Sequence, residues 1–484
     1  MTPNALQNRT SIKARAPRQE DANPSLRGRL GTALAATLIV TMGALALAAA
    51  LILIGISIAP VANVVRSVDL HVLEREMTRD NGAALAAVIV FVATYLVIAI
   101  GKLPGYQLDR AGAALVGASL MVGLNVVSLE QAYRAIDFDA ITLLLGMMIV
   151  VANLRLSGFF RLVNNFVVAR ARHPLILLMA IVAISGIFSA FLVNDTICLV
   201  MTPLVLELVK RLKRDPIPYL LAIPLASNIG STATITGNPQ NMIIASFSQI
   251  SYGTFASTLW PIAAIGLILT AGFIAVIYPR EFLTRELLPQ VVIKPARYHR
   301  SLVVKSVLVT IVMMILFFAG QPVAKVAIVG GAFLLLTRSV KADKVYREID
   351  WPLLLMFVGL FIVVTGLETA VLKPEMIAAV SRVDLTSVPI LSAITAGLSN
   401  LVSNVPAVLV LKPFVANSPE PQRAWLVVAM ASTLAGNFTL VGSVANLIVA
   451  QRARAEGVIL GFWTYFKVGA PLTLLTIALG VWWL

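Results

Sequence analysis

The chain has 484 residues with 38 Lys and Arg against 23 Asp and Glu, a net charge of +15; 59% of it is apolar and only 13% charged. Soluble domains run at ~45–50% apolar and ~25% charged, so a mean hydropathy of +0.90 excludes a water-soluble fold. A single anchor on a large soluble domain is excluded too. Apolar runs recur from residue 31 to the C-terminus, and ~20 residues per crossing leaves room for about a dozen spans and little else.

In chain order, residues 1–30 carry Arg9, Lys13, Arg15, Arg18, Arg27 and Arg29 and read as a disordered cytoplasmic segment. They are too long for a signal-peptide n-region, and the apolar run at 31–60 exceeds an h-region, so it reads as an uncleaved first transmembrane helix. Continuous apolar stretches fall at 32–58, 83–101, 111–128, 139–154, 259–278, 301–319, 323–337, 351–367 and 459–482. Four further regions are apolar but interrupted: 174–209 by Asn194-Asp195-Thr196, 217–247 by Ser227-Asn228 through Asn241, 386–415 by Ser399 through Pro406, and 424–450 by Gly436-Asn437 through Ser443. Non-helical backbone survives at membrane depth only where protein or a water-filled cavity satisfies its polar groups. The four interruptions therefore point to an internal site.

Several chemistries fall away. The single cysteine, Cys198, permits no disulfide framework and no cysteine-based zinc site, and it reads as a small apolar residue. His71, His173 and His299 lie far apart, and no GxxxxGK[ST] occurs, so no ATP motor and no cofactor are expected. The basic excess sits in short loops between apolar runs, which suits membrane topology rather than a nucleic-acid face.

The positive-inside rule orders the interrupted segments. If 174–209 and 386–415 are re-entrant hairpins and the other two cross, an inside N-terminus places 28 Lys and Arg inside and 9 outside. If each hairpin region crossed once, the division would be 17 and 20. The hairpin topology leaves the C-terminus extracytoplasmic.

A duplication supports it. Ile136-Asp137-Phe138 matches Ile349-Asp350-Trp351, and Phe188 through Asn194 matches Leu398 through Asn404. An offset of 205 pairs Thr234 with Thr439, Gly237 with Gly442 and Asn241 with Asn446. Residues 83–278 then form one copy and 301–482 a second, inverted one, joined by a cytoplasmic linker at 279–300. Inverted repeats with paired discontinuous helices are a secondary-transporter architecture, in which half-helix N-termini face an anion and freed carbonyls face Na⁺. The fold expected is an all-α polytopic membrane protein with about eleven transmembrane helices, two re-entrant hairpins and broken helices.

The pieces Asn194-Asp195-Thr196 with Met201-Thr202-Pro203-Leu204, Ser227-Asn228-Ile229-Gly230-Ser231-Thr232 with Gly237-Asn238-Pro239-Gln240-Asn241, and Ser403-Asn404-Val405-Pro406 resemble the ion transporter superfamily. The match is to its citrate-transporter-like domain, in the branch of arsenite-efflux permeases, sodium/proton antiporters and anion permeases. Asp109-Arg110-Ala111-Gly112-Ala113-Ala114-Leu115 is similar to a signature of that branch. The resemblance covers roughly 83–482. It implies eleven spans, a homodimer, and a transport domain that moves elevator-fashion against a scaffold. The related sodium/dicarboxylate symporters carry Ser-Asn-Thr at both hairpin tips; here the tips read Val193-Asn194-Asp195 and Ser403-Asn404-Val405.

The candidate substrate contacts are Asn194, Thr196, Asn228, Thr232, Asn238, Ser403, Asn404, Asn437, Thr439 and Ser443. The candidate ion-coupling set is Asp195 with Asn194, Gly237, Asn241, Gly442 and Asn446. Asp195 is the one acidic residue well inside an apolar segment of the first copy, at ~2.5–3.5 kcal/mol for insertion. It reads as a Na⁺ or H⁺ site, or alternatively as an acceptor for neighbouring N–H groups. Asn194 and Asn404 fit helix capping as well as solute contact. Thr232, Thr234, Asn437 and Thr439 fit either the site wall or bonds to their own helices, and Asn241 and Asn446 also fit structural locks on the breaks.

The function expected is secondary active transport of an inorganic or small organic anion, citrate-, dicarboxylate- or sulfate-like, across the inner (plasma) membrane with Na⁺ or H⁺ coupling. The alternatives are a sodium/proton antiporter or arsenite exporter built on Asp195, and a passive channel. An intramembrane enzyme would need paired acids, a Ser/His couple or HExxH, and the sequence has none.

Overall fold

The structure is a computed structural model that describes residues 81–100, 108–170, 172–285, 287–289, 298–336, 340–371 and 385–484. The expected cytoplasmic segment 1–30, the first helix at 31–60 and residues 286 and 290–297 of the linker 279–300 lie outside the described residues.

Every described element is helical. In chain order they are α1 (Asn81–Ile100), α2 (Arg110–Gly123), α3 (Leu129–Ala135), α4 (Phe138–Ser157) and α5 (Phe159–Arg170). Then come α6 (Pro174–Phe191), α7 (Asn194–Arg211), α8 (Pro216–Ser231), a 3₁₀ turn (Ile235–Gly237), α9 (Pro239–Ser248), α10 (Tyr252–Ile277) and α11 (Pro279–Phe282). The second half holds α12 (Arg300–Phe318), α13 (Val323–Leu335), α14 (Ala342–Tyr346), α15 (Trp351–Ala370), α16 (Val388–Val402) and α17 (Asn404–Ala416). It closes with α18 (Pro421–Ala435), α19 (Val444–Ala455) and α20 (Phe462–Trp483).

Local chemistry sets these boundaries. Asp109, Asp137 and Asp350 cap α2, α4 and α15, each accepting a hydrogen bond from a first-turn N–H at 2.8–3.0 Å. Proline stands in the first turn of α6, α8, α9, α15, α16 and α18, where a missing N–H removes no intrahelical bond. The α10 helix begins seven residues before the apolar run that marks it, because Ser251 caps it and Tyr252, Phe255 and Ala256 are buried.

Seven described helices are long and apolar enough to cross a membrane: α1, α4, α6, α10, α12, α15 and α20. Apolar α2, α13, α16 and α17 have only 13–15 residues, about 20–22 Å of rise against a ~30 Å hydrocarbon core. The expected stretch 111–128 ends early, at Gly123, where Leu124 closes the helix and Asn125 turns to a left-handed φ of 55°.

The four interrupted regions break where polar residues enter the apolar runs. Only Leu192 and Val193 separate α6 from α7, and only Ser403 separates α16 from α17, so each pair is a helical hairpin. The α8–α9 and α18–α19 pairs are parted at 232–238 and 436–443.

Packing sorts the helices into two groups. In the first, α2 lies against α15 and α4 against α13, with α1 and α12 alongside. Both contacts depend on glycine. A Cβ on Gly146 would stand 2.5 Å from the Ala327 backbone carbonyl carbon, and one on Gly359 would stand 2.6 Å from that of Ala114. The two pairs are related by a shift of 213. In the second group, α6 packs on α8, α16 on α18, α7 on α19 and α10 on α20. The groups touch more sparingly. Tyr95 on α1 donates to the Pro406 carbonyl at 3.3 Å, and Lys412 on α17 lies 3.6 Å from Glu368 on α15. Among the described residues that ion pair is the one joining the groups.

Candidate functional site

The first hairpin tip and the two helix breaks meet through side-chain amides, while Asn404 at the second tip accepts from Ser399 of its own hairpin. Asn228, fully buried on α8, uses its whole hydrogen-bonding capacity. Its Nδ2 donates to the Oδ1 atoms of Asn437 (2.8 Å) and Asn446 (3.0 Å), while its Oδ1 accepts from Asn194 Nδ2 (3.0 Å) and Ser443 Oγ (3.3 Å). One side chain thus ties the first hairpin tip to the second broken helix. Its counterpart 205 residues on, Thr433, makes a weaker tie between the two breaks alone: it accepts from Gln240 Nε2 at 3.1 Å, and its hydroxyl, which donates to the Ala429 carbonyl at 2.7 Å, lies 3.3 Å from Asn241 Oδ1.

Each break has an internal brace. Asn241 Nδ2 donates to the carbonyls of Ser231 and Thr234, both at 3.0 Å. Asn446 Nδ2 donates to those of Gly436 (2.7 Å) and Thr439 (2.9 Å), the same bonds shifted by 205. Gly237 and Gly442 make room for these turns: a Cβ on Gly237 would meet the Ser231 backbone, and one on Gly442 would stand 2.7 Å from Asn400 Oδ1. Thr232 back-bonds to the Asn228 carbonyl at 3.2 Å, and Thr234 donates to the Ala190 carbonyl of the first hairpin.

In front of this network lies a cavity of about 300 Å³. Six helices present their first residues to it: α2 (Arg110, Ala111), α7 (Asn194, Asp195), α9 (Pro239, Gln240), α15 (Pro352, Leu353), α17 (Asn404, Val405) and α19 (Val444). A helix N-terminus carries roughly half a positive charge and unpaired N–H groups. On α2 and α15 these are capped by Asp109 and Asp350, and on α19 Ser443 Oγ accepts from Ala445 N. The N-termini of α9 and α17 have no side-chain cap, whereas on α7 Asn194 Oδ1 accepts from Asp195 N at 2.8 Å. Asn238, 4% exposed, lines the cavity beside them, and its Nδ2 is a buried donor with no partner.

Three carboxylates line the cavity as well. Asp109 and Asp350 are engaged as caps, whereas the Asp195 carboxylate makes no hydrogen bond or ion pair among the described residues. At the second tip Ser403 holds φ 78° and ψ 159°, a region open to glycine and costly for other residues, by ~1–3 kcal/mol. No described group of three or more His, Cys, Asp or Glu is placed to hold a metal ion.

Of the candidate residues, Asn194, Asp195, Asn238, Ser403, Asn404 and Ser443 line the cavity. Asn228, Asn437, Asn241 and Asn446 stand behind it in the amide network, with Thr232, Thr439, Gly237 and Gly442 in or beside the breaks. Thr196 sits one residue beyond Asp195, in the first turn of α7, and does not line the cavity. The candidate set omits Asp109, Arg110, Gln240 and Asp350, all of which the cavity includes. The repeated Ile-Asp-aromatic triplet and the Asp109-Arg110 signature were the available signals for three of them.

Known proteins agree with this architecture. The family model for CitMHS, citrate transporter, matches residues 95–434. The silicon efflux transporter LSI3 of Oryza sativa subsp. japonica is 29% identical over 464 residues, covering 81% of this chain and 96% of that protein. The candidate transporter arsB of Dictyostelium discoideum is 25% identical over 511 residues, covering 81% and 91%. The crystal structure of the Alcanivorax borkumensis YdaH transporter shares the fold, with a TM-score of 0.52 at 15% identity over 83% of this chain and 98% of that one. With the family model spanning well over half of the sequence and its relatives being transporters, this chain belongs to the citrate transporter family and is a membrane transporter rather than an enzyme.

Proposed function

We propose that the chain is a secondary active transporter that binds a small anion between its two hairpin tips and couples the movement to H⁺ or Na⁺ through Asp195. The observation that carries this is the convergence of the N-termini of α7, α9 and α17 on one cavity, those of α9 and α17 without a side-chain cap, with the unpartnered Asn238 Nδ2 beside them. Preorganised N–H donors at helix ends recognise anions without a fixed cation. Asp195 is the one cavity carboxylate without a donor, so a proton or sodium ion is its natural partner. The amides of Asn241 and Asn446 already reach the carbonyls at both breaks, which leaves the coupling to the tip.

The reading includes about eleven spans, with residues 83–278 and 301–482 as inverted repeats whose hairpins turn back inside the bilayer. The hydrogen bonds and glycine contacts that recur at offsets of 205 and 213 support it. The group containing α6–α9 and α16–α19 would slide, elevator-fashion, against the group containing α2, α4, α13 and α15. An inner-membrane homodimer with its N-terminus cytoplasmic and C-terminus outside completes the proposal.

A second reading, export of a hydroxylated oxyacid, is favoured by the charge of the cavity: three carboxylates against the single guanidinium of Arg110. A solute that gives up or takes a proton would suit that balance, and the name of the rice relative concerns silicon efflux.

The test is a thermal-shift and flux screen of citrate, succinate, sulfate and arsenite, each with and without Na⁺ and at two pH values, on wild type and Asp195→Asn. The variant is expected to keep the apo melting temperature and lose cation-dependent stabilisation and transport. Wild-type coupling in that variant would remove Asp195 from the mechanism. Proton or sodium flux in proteoliposomes with no anion present would replace the anion reading with an antiporter.

A further inference from the structure

Arg110 opens α2 and lines the cavity, yet among the described residues its guanidinium makes no hydrogen bond or ion pair. The neighbouring aspartates each spend one oxygen on a helix N-terminus: Asp109 Oδ1 accepts from Gly112 N at 2.8 Å and Asp350 Oδ1 from Leu353 N at 3.0 Å, and neither pairs with Arg110. An Arg at a partly buried position with no protein acceptor is a group set for an external anion.

Its position in the duplicated fold is one-sided. The 213 shift that carries Ala114 to Ala327 and Gly146 to Gly359 carries Asp350 back to Asp137, and both aspartates cap their helices in the same way. It carries Asp109 and Arg110 to Pro322 and Val323. The equivalent helix starts, those of α4 and α13, therefore have an aspartate but no guanidinium in the place of Arg110. Lys325, the cation nearest in sequence, corresponds to Gly112 and lies about 200° round α13 from Val323.

We propose that Arg110 is a one-sided anion-recognition residue. It contacts the solute only while the cavity opens at the Arg110–Asp350 end, so the anion binds more tightly from that face than from the other. This rests on the anion reading given above. It adds a direction: an anion presented at the Arg110 face loads at lower concentration, and release at the Val323 face is unopposed by a cation.

The experiment measures half-saturating concentrations of citrate and sulfate from each face in proteoliposomes. Sidedness is assigned by labelling Lys344→Cys, an exposed position close to Asp350, with an impermeant maleimide. Arg110→Gln is expected to raise the value at the Arg110 face about tenfold or more and leave the other face within about twofold. Arg110→Lys should restore part of the loss, and uncharged arsenous acid should be insensitive to either change. Val323→Arg should lower the half-saturating concentration at the opposite face, which gives a decision even if Arg110→Gln does not fold. An equal effect on both faces, or none on either, overturns the proposal while leaving the anion reading intact. Failure of wild type to take citrate or sulfate from either face overturns both.

Discussion

The two hairpins share a backbone plan and divide its charge differently. In the first, the charge is at the tip: Asp195 faces the cavity, and Thr202 on the arm donates only to the Cys198 carbonyl of its own helix. In the second, a shift of 210 puts Val405 at the tip and Lys412 on the arm. Lys412 reaches Glu368 on α15 and stands 4.8 Å from the Phe247 ring centroid. One hairpin thus turns its ionisable group to the cavity, and the other turns one to a neighbouring helix. The same helical geometry occurs twice, and the side chains on it place the charge differently.

The largest expected break in this comparison is at Asn228 and its counterpart Thr433. Asn228→Ala leaves four polar atoms of Asn194, Asn437, Ser443 and Asn446 short of a buried partner, at ~1–3 kcal/mol for each group that water cannot reach. A loss of about 3 kcal/mol or more, read as a lower melting temperature in detergent, is expected. Thr433→Val removes only the weaker tie and should cost ~1 kcal/mol. Equal losses would mean that the halves share the load, contrary to the bond pattern.

A smaller effect sharpens the anchoring role. Lys412→Met should change apo stability by no more than ~1 kcal/mol, since both partners are partly exposed. If the pair restrains hairpin two against α15, turnover should shift by roughly fivefold, the equivalent of ~1 kcal/mol, with half-saturation unchanged. Glu368→Gln should do the same, and the double variant no more than either single change. Thr202→Val, the matching position on hairpin one, should leave turnover alone. Full additivity of the two Lys412–Glu368 changes would show that they act separately.

The smallest expected effect concerns the second tip. Ser403→Gly relieves a conformation that serine adopts only with strain, and should raise the melting temperature by the equivalent of ~1 kcal/mol. The same change at Val193, whose φ is −56°, should destabilise.

Much of this was legible in the sequence because membranes punish exposed backbone. Asn194, Asn404 and the 232–238 and 436–443 breaks stand out as polar or glycine-rich interruptions in apolar runs, and such interruptions need an internal reason. Arg110, Asp109 and Asp350 carry a signature and a repeated triplet, but neither pattern points to the site. They lie beside short loops where charge is ordinary, and only the packing of α2 on α15 brings them to the cavity. The role of Asn228 was hidden for another reason: its donors reach partners 209 and 218 residues away, a distance no local pattern records. The length of α10 was obscured by Thr254, whose hydroxyl pairs with the Ser251 cap, and by Ser257 and Thr258, whose hydroxyls donate back to the Thr254 carbonyl.

The amide braces at Asn241 and Asn446 bear on how tightly a very small solute can be held. A ligand with few atoms has little interaction energy to spend on folding its own receptor. Because each unwound turn is already shaped by a side chain of the protein, the entropy of ordering those loops is settled when the chain folds. A solute of only a few atoms can then commit its whole contact energy to being recognised.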